Sequence, residues 1–175
     1  RLCGCPARPA AAADHHWHIP KTDYFRPVRI IDYDQSHLHE LMDGPLNEGA
    51  PEHIGYMKDY AGELQQPGWS YTLIENGYII CCAGIVDMWP GVGEAWFIAS
   101  NKIHEYPRPF IRFAKTDVMQ KVVDENGLWR VQAVCKSDWP AALKFARFMG
   151  FEPEGVMRKY GPEGMDYIRV AWVRE

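Results

Sequence analysis

No stretch of this 175-residue chain approaches the roughly 18 to 20 apolar residues that a membrane-spanning helix needs. Nor does an apolar core flanked like a signal peptide stand near Arg1, so no membrane partner is expected and the expected location is a cytoplasm or a particle. Positive charge is scarce: 19 Lys and Arg against 23 Asp and Glu leave a formal net charge of -4. That balance lacks the basic footprint with which proteins meet a phosphate backbone, so no nucleic acid is expected. Five cysteines are an odd count, and Cys81-Cys82 are neighbours in an apolar run, where successive side chains point to opposite faces of a strand. A disulfide scaffold is therefore a poor reading, and a reducing compartment fits better. Internal repeats are absent. What is present is a globular composition, 47% hydrophobic, with seven Trp and nine Tyr. At about 150 residues per domain the length bounds it to one domain, and the aromatic excess points first to a core and second to a binding surface, such as that of a homo-oligomer.

Residues 1–20 do not match the rest. Arg1 to Pro20 reads RLCGCPARPAAAADHHWHIP, with an Ala/Pro run and no apolar periodicity, and is expected to be a disordered or non-native arm preceding a domain over residues 21–175. Cys3, Cys5, His15, His16 and His18 bring soft ligands together, but their spacing matches none of the usual zinc patterns, so no metal is expected.

Along the remainder, Tyr24 to Tyr33 reads as a strand and Asp34 as the cap of a helix over Gln35 to Met42, closed by Gly44-Pro45. Pro51 to Leu64 places Ile54, Met57, Tyr60 and Leu64 at helical spacing. Asn76-Gly77 between two apolar runs, Ser70 to Glu75 and Tyr78 to Val86, is the signature of a two-residue hairpin, because both residues tolerate positive φ. Past the turn at Trp89-Pro90-Gly91, Glu94 to Ala99 extends the sheet. Phe110 to Val123 then carries Phe110, Phe113, Ala114, Asp117, Val118, Lys121 and Val122 in helical register, with Gly127 as its stop. Leu128 to Cys135 is a strand, Trp139 to Met149 a helix ended by Gly150, and Gly155 to Tyr160 and Met165 to Val173 are closing strands around a turn at 161–164. The order βααβββαβαββ predicts an α/β (α+β) domain with a mixed sheet flanked by helices, since the crossover through Phe110 to Val123 requires a parallel pair.

That order, together with Ser137-Asp138-Trp139-Pro140-Ala141-Ala142 running through an amphipathic helix into Gly150-Phe151-Glu152-Pro153-Glu154-Gly155, resembles the GNAT superfamily of N-acetyltransferases over about Tyr24 to Val173. Ala95-Trp96-Phe97-Ile98-Ala99-Ser100, the helix Phe110 to Lys121 and Leu128-Trp129 are most similar to the small GNAT-like proteins of podophages, some of them internal virion proteins. The resemblance implies acetyl-CoA as cosubstrate, held in a V-shaped gap between the strands Glu94 to Ala99 and Leu128 to Cys135, and an amine of a small molecule or protein as acceptor. It equally implies an alternative, a non-catalytic GNAT-fold component of a virion whose partners are other virion proteins.

Three needs of the acetyltransferase chemistry can be put to the residues. A diphosphate is cradled by backbone N–H groups, which the family supplies in a Q/R-x-x-G-x-G/A turn. The matching segment, Ser100 to Arg112, holds no glycine and two prolines without an N–H, so Lys102, Arg108 and Arg112 are the candidates to meet phosphate by side-chain charge, their plainer role being a solvated face. Phe97, Ile98, Ala99 and Ser137 are the other candidate cofactor contacts. Only a neutral amine attacks, so a base is needed. Glu94 stands where many members of the family place one, sharing a strand face with Trp96 and Ile98, while Asp87, His104 and Glu105 are lesser candidates. The acid is commonly a Tyr four residues before the Gly of Gly-Phe, where this chain has Ala146, and Trp139 replaces the usual Asn. Tyr160 or Tyr106 could serve instead. Cys81, Cys82 and Cys135 sit in apolar runs and are expected to be buried and inert.

Overall fold

The computed structural model describes residues 28–48, 50, 52–162 and 164–175. The expectations for residues 1–20, including Cys3, Cys5 and the three histidines, and for the start of the first strand lie outside the described residues. The elements are β1 (Arg29–Asp32), α1 (Gln35–Asp43), a 3-10 helix (Glu52–Lys58), β2 (Ser70–Glu75), β3 (Tyr78–Trp89) and β4 (Val92–Ala99). After them come a 3-10 helix (Asn101–Glu105), α2 (Pro107–Arg112), a π-helical stretch (Phe113–Gln120), α3 (Lys121–Glu125), β5 (Arg130–Lys136), α4 (Pro140–Phe148), β6 (Glu152–Met157) and β7 (Tyr167–Val173). The strands form one seven-stranded sheet in the order β1-β2-β3-β4-β5-β7-β6. Neighbours are antiparallel except β4 and β5, which run parallel and are joined by the α2 to α3 crossover. This is the mixed α/β architecture that the element order predicts. Among the described residues no helix is long and apolar enough to cross a membrane.

Local chemistry explains most boundaries. The Asp34 carboxylate accepts from Ser36 N–H at 2.8 Å, and His37 Nδ1 accepts from Asp34 N–H at 3.1 Å, so the first turn of α1 is capped from both directions. At the β2–β3 turn Asn76 and Gly77 have φ of +51° and +82°, the conformation expected of that pair. Cys81 and Cys82 face opposite cores. Cys81 joins Leu73, Ile85, Phe113 and Val122 beneath α2 to α4, and Cys82 joins Leu38, Leu41 and Ile98 beneath α1. Burial pushes the Cys82 thiol up to about 12 and raises Cys81 as well, so both are inert as expected. Half-buried Cys135 is likewise raised by burial.

Three expectations are corrected. Where an α-helix is expected up to Leu64, the described residues form a 3-10 helix over Glu52–Lys58 followed by turns, and Tyr60 is 53% exposed. Gly55 and Gly62 each weaken a helix by about 1 kcal/mol relative to Ala, and the segment is too short to absorb that twice. In the crossover helix the buried residues are Phe113, Ala114, Val118, Met119, Val122 and Val123, so the spacing is five residues, then four. The five-residue step is the π stretch, which carries Lys121 outward and brings Met119 inward. Finally, Trp129 and Phe148 belong to the surface, 56% and 53% exposed. The Trp129 ring lies over Gly91, whose φ is +82° and where a Cβ would come within 2.2 Å of the indole.

Candidate functional site

β4 and β5 hold together over three residue pairs, Val92 with Arg130, Gly93 with Val131 and Glu94 with Gln132. Beyond these β4 continues to Ala99 against β3, and β5 to Lys136 against β7, so the two strands splay apart around a wedge. Arg130 N–H donates to Gly91 C=O at 3.1 Å at the narrow end, and Asn47 N–H donates to Ala99 C=O at 2.9 Å at the wide end. Because main-chain groups alternate along a strand, odd-numbered residues of β4 and even-numbered residues of β5 turn theirs toward the wedge. The N–H and C=O of Phe97 and of Val134 therefore face it with no strand opposite. Both residues are only half-buried, although both strands are central in the sheet.

Glu94 stands at the apex. Gln132 Nε2 donates to its Oε2 at 3.3 Å, and Gln132 Oε1 accepts from Arg130 at 3.4 Å. Arg130 in turn grips Glu154 through two bonds of 2.8 and 2.5 Å, and that pairing holds the Glu154 carboxyl below its ordinary range. Trp96, two residues on and on the same face as Glu94, packs edge-on to Tyr33 at 5.1 Å, and its buried indole N–H has no hydrogen-bond partner among the described residues. Tyr33 itself donates to Ala61 C=O, and burial raises its hydroxyl far above the ordinary value.

The other face of the wedge is roofed by rings. Phe97 of β4, Phe110 of α2 and Phe145 of α4 meet with centroids 5.1, 5.8 and 5.1 Å apart. One turn further along, the Lys115 ammonium lies 4.1 Å from the centre of the Phe148 ring, so α2 and its π continuation are joined to α4 at two levels.

The candidate residues fall into two groups. Glu94, Phe97, Ile98 and Ala99 line or back the wedge from β4, and Ser137 follows the end of β5, where its N–H donates to Asp166 C=O. Lys102 points away, its ammonium 3.8 Å from the centre of the Tyr78 ring at the β2–β3 turn. Arg108 and Arg112 are exposed, one turn apart on α2, without an ion-pair partner among the described residues. Tyr160 is 50% exposed and packs on the ring of Tyr167, which pairs with Lys136. That level lies four residues beyond Gln132, about 13 Å at ~3.3 Å per residue, so the fold does not bring Tyr160 and Glu94 together. The Tyr106 hydroxyl donates to Glu75, and this bond pushes it up to about 12, which disfavours it as an acid. Ala146 is buried and offers no hydroxyl. Sequence reasoning missed Gln132, 7% exposed, although a lone amide between Val131 and Ala133 in an apolar strand is a readable signal.

The fit of a CoA thioester divides at the phosphates. Two unpaired strand edges suit the amides of a pantetheine arm. The turn after β4 does not suit a diphosphate: the N–H groups of Ser100, Asn101, Ile103, Tyr106 and Phe110 already donate to main-chain carbonyls, and Pro107 and Pro109 have none.

A seven-stranded sheet that splays between its parallel fourth and fifth strands is the fold that this chain shares with solved acetyltransferases, some of them of the GNAT family. The chain is similar to the ribosomal-protein-S18-alanine N-acetyltransferase from Escherichia coli, with 16% identity, 85% of this chain and 96% of that chain covered, and a TM-score of 0.59. Ard1 from Thermoplasma volcanium matches with 11% identity, 85% and 98% coverage and a TM-score of 0.66. A variant of the spermidine N-acetyltransferase SpeG from Vibrio cholerae matches with 13% identity, 83% and 93% coverage and a TM-score of 0.59. No protein-family model matches the chain, and no curated protein sequence does.

Proposed function

We propose that the chain is an N-acyltransferase that takes an acetyl group from a thioester such as acetyl-CoA and delivers it to an amine of a small molecule or protein. The observation that carries this reading is the pair of unpaired main-chain edges at Phe97 and Val134, opening immediately beyond Glu94. When bound there, a thioester supplies an electrophilic carbonyl. Glu94 is the base that removes the proton from the acceptor ammonium, since only the free amine attacks. Gln132 orients the carboxylate by donating to Oε2, and Arg130 holds Gln132 in turn. No side chain needs to protonate the departing sulfur, because a thiol with a pKa near ~8.5 leaves acceptably as thiolate. Residues 34–66 hold seven carboxylates against one lysine, Lys58, and α1 covers the face that carries Glu94 and Trp96. This charge supports a cationic acceptor.

The test is thiol release from acetyl-CoA in the presence of amines such as spermidine or an N-terminal peptide, beside calorimetric titration of the donor. Turnover that falls in Glu94→Gln while donor binding stays supports the reading. Neither heat nor thiol release at millimolar donor sinks it. That outcome would leave the second reading, a GNAT fold kept as a non-catalytic virion component, which the committed amides after β4 and the absent hydroxyl at Ala146 favour.

A further inference from the structure

We infer that this protein grips its donor by the pantetheine arm alone and leaves the nucleotide ungripped, so that acetylated pantetheine and acetylated 4′-phosphopantetheine bind as tightly as acetyl-CoA. This rests on the donor reading above and names the part of the donor that is recognised.

Two independent features of the fold carry it. The first is the accounting of amides. From Ser100 to Phe110, five N–H groups are already bonded to carbonyls of Ile80, Pro45, Ser100, Ile103 and Tyr106, and two positions are proline. A diphosphate there is left with at most the N–H groups of Lys102, His104, Glu105 and Arg108, interrupted by two pyrrolidine rings, in place of a glycine-rich ring of donors. The second feature is the seam between α2 and α4. Phe110 stacks on Phe145 at 5.1 Å with 28° between planes, and Lys115 caps Phe148 a turn later, so the two helices are held against each other at these two levels. Arg108 and Arg112, without an ion-pair partner among the described residues, remain beside the seam, but both are exposed, where a contact to phosphate is screened and changes affinity only a few-fold. The wedge, by contrast, offers the Phe97 and Val134 main chain to any arm carrying the two pantetheine amides, whatever is attached at its far end.

The full chain is titrated calorimetrically with acetyl-pantetheine, acetyl-4′-phosphopantetheine, acetyl-CoA and 3′,5′-ADP. The expected result is three thioesters within about threefold of one another and no heat or competition from 3′,5′-ADP. A preference of about 30-fold or more for acetyl-CoA over acetyl-pantetheine, or binding of 3′,5′-ADP, overturns the inference while leaving the acyltransferase reading intact. If none of the thioesters binds, both fall. The same arm borne on an acetylated acyl-carrier protein distinguishes the donor's source. Binding tighter than that of the free phosphopantetheine ester, and lost at about 0.5 M salt, identifies a protein-borne arm docking on Arg108, Arg112 and Lys115. Equal binding identifies the small thioester.

Discussion

Truncating Phe145 to alanine tests the roof of the wedge, because this ring touches both Phe97, at 5.8 Å, and Phe110, at 5.1 Å. A fully buried Phe→Ala change costs about 3–5 kcal/mol. Phe145 is half-buried, so roughly half of that is lost, and with the aromatic contacts included the expected cost is about 2–3 kcal/mol. In a domain of this size 1 kcal/mol moves Tm by about 2–4 °C, so differential scanning calorimetry should show a fall of about 5–10 °C. Phe145→Leu keeps most of the apolar area and should lose less than half as much. The same truncation opens the seam between α2 and α4, so acetyl-CoA should gain affinity relative to acetyl-pantetheine. A Tm within about 1 °C of the parent protein would refute the claim that the three rings hold the helices together over the wedge.

The same geometry sets other outcomes. Glu94→Gln should lower turnover by about 10²- to 10⁴-fold with the calorimetric donor affinity unchanged, and Gln132→Ala should lower it by less. Gly93→Ala should destabilise by about 1–3 kcal/mol in urea unfolding, since the new Cβ would lie 2.3 Å from Cγ2 of the fully buried Ile85. Stability should fall as pH rises above 9: the Cys82 thiol moves from an ordinary 9.0 to about 12 on folding, so its contribution is complete below 9 and is lost toward 12. Urea midpoints at pH 8, 9 and 10 should show that decline, and Cys82→Ala should lessen it, the rest staying with Cys81 and Cys135.

Where a local rule decides a conformation, it was readable. Asn76-Gly77 imposes its own φ angles, Asp34 caps the first turn of α1, and Cys81 and Cys82 diverge because strands alternate. The crossover helix was located with most of its interior, Phe113, Ala114, Val118 and Val122, but not with its π step, which depends on which residues the sheet can receive. The 3.6-residue pattern put Lys121 inward and left out Met119 and Val123, which the sheet takes. Glu94 was singled out from the family resemblance, but the partner of its carboxylate, Gln132, lies 38 residues away and meets it only through the parallel register. Distance across a sheet is set by register, and sequence carries no register for strands joined by long connections, so the level of Tyr160, beside Tyr167, was not readable either. The absent glycines after β4 were legible, yet the commitment of five of the amides there, from Ser100 to Phe110, needed coordinates.

The decisive measurement is a ¹⁵N-correlated NMR titration of the full chain with acetyl-pantetheine, following the amides of Phe97 and Val134. These two N–H signals should move early and farthest, with Ser100 to Phe110 nearly unchanged. Perturbations centred on Ser100 to Phe110, with Phe97 and Val134 still, would contradict a donor held by its pantetheine arm in the wedge.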